Sequence, residues 1–201
     1  MAEYIIQEES LKELADIVRE RSAPTFFISD RSNFNPKALP DGITSIGDSA
    51  FWGCSSLALT SLPEGITSIG NSAFWGCSSL ALTSLPEGIT TIKPNAFYCC
   101  TNLALTSLPE GITSIGNSAF LGCDRLVHIT LPASVTGWYG VFQSCNGLTS
   151  VTFRGTPTTI DRFTFANCTN LTTINVPWAE GAVEGAPWGA TKATINYNYV
   201  G

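Results

Sequence analysis

Six cysteines recur at 54, 77, 100, 123, 145 and 168, and thiols repeated at a nearly fixed step raise the question of a metal or redox column. Ligation would need Cys or His converging from other positions, and the chain has one histidine, His128. The favoured reading is therefore a row of small buried thiols. Cys99 stands apart: it occupies the place held by Gly53, Gly76 and Gly122 elsewhere, which makes it the candidate for the one accessible thiol.

A second series follows the phenylalanine of each unit: Trp52, Trp75 and Tyr98, then Leu121, Gln143 and Ala166. If it points outward, Trp52, Trp75 and Tyr98 form a strip of rings about 5 Å apart, suited to stacking on sugars or an extended peptide. If it folds over a turn, it is a second packing layer. Asp41, Glu64, Glu87 and Glu110 make an acidic column. Like charges at that spacing in water repel by less than about 1 kcal/mol each, so solubility is the simple reading and a hard cation such as Ca²⁺ the sharper one. Neutral hydroxyls accompany them at Thr44, Thr67, Thr90 and Thr113, with Ser45, Ser68, Thr91 and Ser114 beside them. Adjacent strand residues face opposite ways, so these pairs do not form one flat Thr array. No nucleophile with a base, phosphate loop or metal-ligand spacing is present, and neither an enzyme nor a cofactor is expected.

What positions these columns is a 23-residue unit, SLPEGITSIGNSAFWGCSSLALT at residues 61 to 83, whose proline recurs at 40, 63, 86, 109 and 132. A period of 20 to 50 residues means a solenoid. Ile43, Ile66, Ile89, Ile112 and Val135 form one apolar column, Ile46, Ile69, Ile92 and Ile115 another, and Phe51, Phe74, Phe97, Phe120, Phe142 and Phe165 a third. Leu62 to Gly65 reads as a type I turn with Pro at its second position, and Ile66 to Ile69 as a short strand. The step from Phe120 to Phe142 is 22, with a residue lost near Gly137 and Trp138 in place of an isoleucine.

Residues 1–38 read as a separate segment. They carry nearly half of the charged side chains, and 10–21 has a capping box (Ser10, Glu13) with Leu11, Leu14, Ala15 and Val18 on one helical stripe. This predicts a helical cap or attachment element, with a short strand at 25–28. The solenoid then runs over 39–176 in about six units, and 177–201 reads as a β cap in which Trp178 and Trp188 cover the last coil and 193–200 is a final strand.

Composition narrows the partners. Hydrophobic residues make up 44% and charged residues 13%, with a net charge of −6 and no basic stripe, which excludes nucleic acid. No run approaches the length of a membrane span, so membrane insertion is not expected, and MAEYIIQEES shows no secretory signal.

The units resemble the BspA-like leucine-rich repeat family, in which C-x-x-L-x-x-I-x-I-P is followed by I-x-x-I-x-x-x-A-F-x-x-C. Cys123, Leu126, Ile129, Leu131 and Pro132 match it, as do Cys168, Leu171, Ile174, Val176 and Pro177. In Leu57-Ala-Leu59-Thr60-Ser-Leu62 a Thr replaces the middle Ile and a Leu comes one place earlier, which predicts a departure from the usual inward register. The resemblance implies a non-enzymatic adhesion module on a bacterial surface, contacting host or cell-surface protein or glycan. The flanking segments also resemble pieces of prophage tail-associated proteins, which would make the chain virion-associated. An inert spacer in a larger assembly is the alternative.

Overall fold

The computed structural model describes residues 31–39 and 41–201, so the helix expected at 10–21, the strand at 25–28 and Pro40 lie outside the described residues. The described chain winds as a solenoid of parallel strands. Along one side run β1 (Ser45–Ile46), β2 (Ser68–Ile69), β3 (Thr91–Ile92) and β4 (Ser114–Ile115), paired in that order with like residues opposite. The side continues with β6 (Gly137–Trp138) and β8 (Thr159–Ile160) as a separate pair. On the other side β5 (His128–Leu131), β7 (Ser150–Phe153), β9 (Thr173–Asn175) and β10 (Thr194–Asn196) form a second parallel sheet.

The strands of the first side are two residues long, each with one inward residue. Ile66 and Ile69 are fully buried while Thr67 between them is exposed. The phenylalanines stack through the interior, with ring centroids 5.2 to 5.3 Å apart from Phe51 to Phe120, then 5.6 Å to Phe142 and 6.1 Å to Phe165. Phe34, outside the period, adds one ring at the other end, 6.2 Å from Phe51. Burial of these columns, at about 25 cal/mol per Å² of apolar surface, ties each coil to its neighbours.

The bend around each Phe is built by residues in the left-handed region on either side of it, such as Ser72 (φ 50°) before and Gly76 (φ 70°) after Phe74. With that backbone, Ser49, Phe51 and Gly53 donate their N–H groups to Asn71, Ala73 and Trp75 of the next coil at 2.7 to 2.8 Å. Bonds beside the strands run the other way: Thr67 and Gly70 donate to Thr44 and Ile46 of the preceding coil.

Three local expectations change. The proline turn closes one residue later than Leu62–Gly65, since Ile66 N–H donates to Pro63, and Ile89 and Ile112 repeat this with Pro86 and Pro109. The missing residue lies between Trp138 and Phe142 rather than beside Gly137. Trp138 pairs with Ile160, so the strand is in register and the following bend is the short part. The early units do depart in register: Leu57, Leu59 and Leu62 are buried and Thr60 exposed, where later units bury Leu126, Ile129 and Leu131. Ile129 and Leu131 are two apart and alternate as a strand. Leu59 and Leu62 are three apart, which a pleat cannot turn inward together, so no strand forms there and one bridge, Ser107 to Thr130, links the early units to the second sheet.

Beyond Val176 the chain keeps stacking. Trp188 accepts a backbone bond from Phe165, and the buried rings of Trp178 and Trp188 both lie against Phe153, at 5.3 and 6.4 Å. The strand of this segment, β10, is shorter than 193–200.

Candidate interaction surface

The aromatic series follows the buried phenylalanines, and the bend that takes each Phe inward turns the next residue toward the surface. Trp75 and Tyr98 are half-buried and lie ring on ring, with centroids 4.0 Å apart and planes 14° from parallel. One face of each ring is therefore taken up by the other. Trp52 is 49% exposed. The Arg31 guanidinium sits 5.7 Å from its ring centroid and also donates to the Trp52 carbonyl, so one face of this indole is shared with a cation. The stack ends at Tyr98, where Leu121, Gln143 and Ala166 follow.

Asp41, Glu64, Glu87 and Glu110 are all exposed. Glu110 is paired, its Oε1 lying 2.6 Å from Arg154 Nη1. Among the described residues no three His, Cys, Asp or Glu side chains converge as a metal site would require.

The cysteine row faces the core. Each Sγ from Cys77 to Cys168 donates to a Phe carbonyl of the preceding coil, at 3.0 to 3.2 Å. Burial pushes the Cys54 and Cys168 thiols up to about 11, and raises Cys77, Cys100, Cys123 and Cys145 as well, so these groups stay protonated and unreactive. Cys99 is half-buried, in the left-handed region at φ 55° where other units carry glycine. Partial burial and then the Asp124 carboxylate raise its thiol too.

The hydroxyl columns are tied into the coil stack. Thr67, Thr90 and Thr113 Oγ1 donate to the carbonyls of Thr44, Thr67 and Thr90 at 3.1 to 3.3 Å.

Two surface features escape a reading by columns. Tyr139 and Phe163 are each nearly half exposed, and Arg162 covers the Phe163 ring at 4.7 Å. They sit in the degenerate units, where no period marks them. The second is the outer face of the sheet β5-β7-β9-β10. It carries His128, Ser150, Thr173 and Thr194 in one row and Thr130, Thr152, Asn175 and Asn196 in the other. His128 Nδ1 and Ser150 Oγ share a hydrogen bond of 2.7 Å. Alternation within H-I-T, S-V-T, T-I-N and T-I-N was the available signal.

The profile of the BspA type leucine-rich repeat region matches in six copies, over residues 25–140 and 138–180. Among solved structures, a leucine-rich repeat protein of T. pallidum is similar at 31% identity with a TM-score of 0.58, over 71% of this chain and 70% of that one. One from Bacteroides ovatus shares 27% identity with a TM-score of 0.65, over 80% of this chain and 41% of that protein. The pneumococcal vaccine antigen PcpA has the same fold at 21% identity and a TM-score of 0.61, over 87% of this chain and 46% of its own. The chain thus spans less than half the length of the last two. No curated protein matches in sequence. These comparisons lend no support to the likeness of the flanking segments to prophage tail-associated proteins.

Proposed function

The chain belongs to the BspA-type leucine-rich repeat family, and on that premise we propose that it is a non-enzymatic binding module of a bacterial surface that holds a protein partner through its aromatic column. The observation that carries this reading is the Trp75–Tyr98 stack beside the exposed Trp52. Each stacked ring has given one face to its neighbour, and the pair, with the exposed Trp52 and the guanidinium beside it, makes a rigid aromatic strip that suits the side chains of a protein. The charge-poor solenoid around it lowers the cost of desolvation on contact. Exposed aromatic and arginine side chains of this kind are the usual carriers of binding energy at protein interfaces.

Binding of the intact chain to arrayed extracellular-matrix and bacterial surface proteins tests the reading. A protein ligand bound at micromolar concentration, and lost in Trp52→Ala and Trp75→Ala variants with unchanged melting temperature, supports it. Absence of any protein ligand favours the inert spacer, and loss of folding in both variants assigns the column to packing.

A further inference from the structure

The outer face of the sheet β5-β7-β9-β10 is uncharged and carries amides as well as hydroxyls. Its eight outward residues, from His128 and Thr130 on β5 to Thr194 and Asn196 on β10, are hydroxyls and amides with a single imidazole and no carboxylate, ammonium or guanidinium. Parallel pairing sets them on a grid, about 4.8 Å from strand to strand and about 6.6 Å along each strand. The outer row is polarised: Asn196 Nδ2 donates to Asn175 Oδ1 at 2.8 Å, and Asn175 Nδ2 donates to Thr152 Oγ1 at 3.1 Å. In these two bonds Thr152 acts only as acceptor and Asn196 only as donor, so the Thr152 hydroxyl proton and the Asn196 side-chain oxygen are not used by them. Arg154, which follows β7, is turned away to Glu110, so its charge is neutralised at the margin.

We infer that this face docks a neutral polysaccharide lying along the solenoid axis. An uncharged grid of combined donors and acceptors complements a polyol, which also donates and accepts at each hydroxyl. An extended sugar chain advances by a similar distance per residue, so successive coils can meet successive sugars alike. Polyanionic glycans are disfavoured by the net charge of −6. This extends the binding role proposed above to a different face and a different partner class, and the two can fail separately.

The test is isothermal titration of the intact chain with an unbranched β-glucan, an α-mannan and, as the polyanion, heparin. The expected result is binding of a neutral polysaccharide with little change between roughly 0.05 and 0.5 M salt. Thr152→Val combined with Asn175→Val should weaken it about tenfold while Trp52→Ala leaves it intact. Val suits a strand, and if the double variant does not fold, Asn196→Ala on the outermost strand replaces it. Binding of heparin alone, of neither neutral polymer, or binding indifferent to the substitutions overturns the inference and leaves the protein-binding reading standing.

Discussion

Arg154 Nη1 lies 2.6 Å from Glu110 Oε1, joining residues two coils apart across the coil that carries Ala133 in the glutamate position. The small Ala133 lets the link pass, and Gly155 rests on it so closely that a Cβ there would come 2.6 Å from the Ala133 Cβ. Both partners are more than half exposed, so water and salt screen the pair. Arg154→Ala or Glu110→Ala is expected to cost less than about 1 kcal/mol, falling toward zero in about 1 M salt. Gly155→Ala should cost more, about 1 to 3 kcal/mol, because backbone must move. Urea midpoints of the three variants at low and high salt check the order.

The phenylalanine stack sets the largest single contributions. Phe97 is fully buried between Phe74 and Phe120, at 5.3 and 5.2 Å. Phe97→Ala is expected to destabilise by about 3 to 5 kcal/mol, whereas Phe97→Leu should cost clearly less because most of the volume is refilled. Chemical denaturation of both variants measures the difference.

Thiol chemistry should divide the cysteines by position. In the folded protein a maleimide is expected to modify Cys99 and leave the other six until denaturant is added. The pH dependence follows from the same burial. A thiol that titrates at 9.0 when unfolded and near 11 when folded, as for Cys54 and Cys168, keeps more protons in the folded state across that interval. Stability should therefore be constant in this respect below pH 9 and fall as the pH rises toward 11. Urea titrations across that range, compared with a Cys54→Ala, Cys168→Ala double variant, show whether the slope comes from these groups.

Cys99 also carries backbone strain, being a non-glycine residue at φ 55°. Cys99→Gly is expected to stabilise by up to about 1 kcal/mol, a gain reduced by the greater freedom of glycine in the unfolded chain. Conversely, Gly122→Ala places a Cβ at φ 71° and 3.1 Å from the Cys99 Sγ, and should lower the melting temperature.

Because units 63–85 and 86–108 share 15 of 23 residues, including every buried Ile, Phe, Cys and Leu of the columns, removing one whole period should leave the columns intact. A deletion of residues 66–88 is expected to fold with a smaller denaturant m-value, in line with the surface lost. Deleting 22 residues from the same place should instead misalign Ile89 and Phe97 and fold poorly. Far-ultraviolet dichroism and urea titration distinguish the two.

The columns were legible because stacking forces like residues to recur, and Ile66, Phe74 and Cys77 take the inward places their period assigns. Phe34 was not, since it extends the ring stack from outside the period. The turn at Pro63 was misplaced by one residue because Pro and Gly fix preferred angles without saying which carbonyl closes the loop. The aromatic column shows the same limit: its place followed from spacing, but the facing of Trp75 on Tyr98 depends on left-handed residues such as Ser72 and Gly76 that propensity does not reveal. The polar sheet face left no column of identical residues, because its outward positions need only be polar, and H-I-T, S-V-T and T-I-N share only their alternation.

Hydrogen bonds at the bends run from Ser49, Phe51 and Gly53 toward the next coil, while Thr67 and Gly70 donate toward the preceding one. Peptide dipoles in the two regions therefore oppose each other along the axis, unlike those of an α-helix, which add. Lengthening the array does not build up opposite partial charges at its two ends. A coil added to the array brings bonds of both directions with it rather than a further increment of one sign.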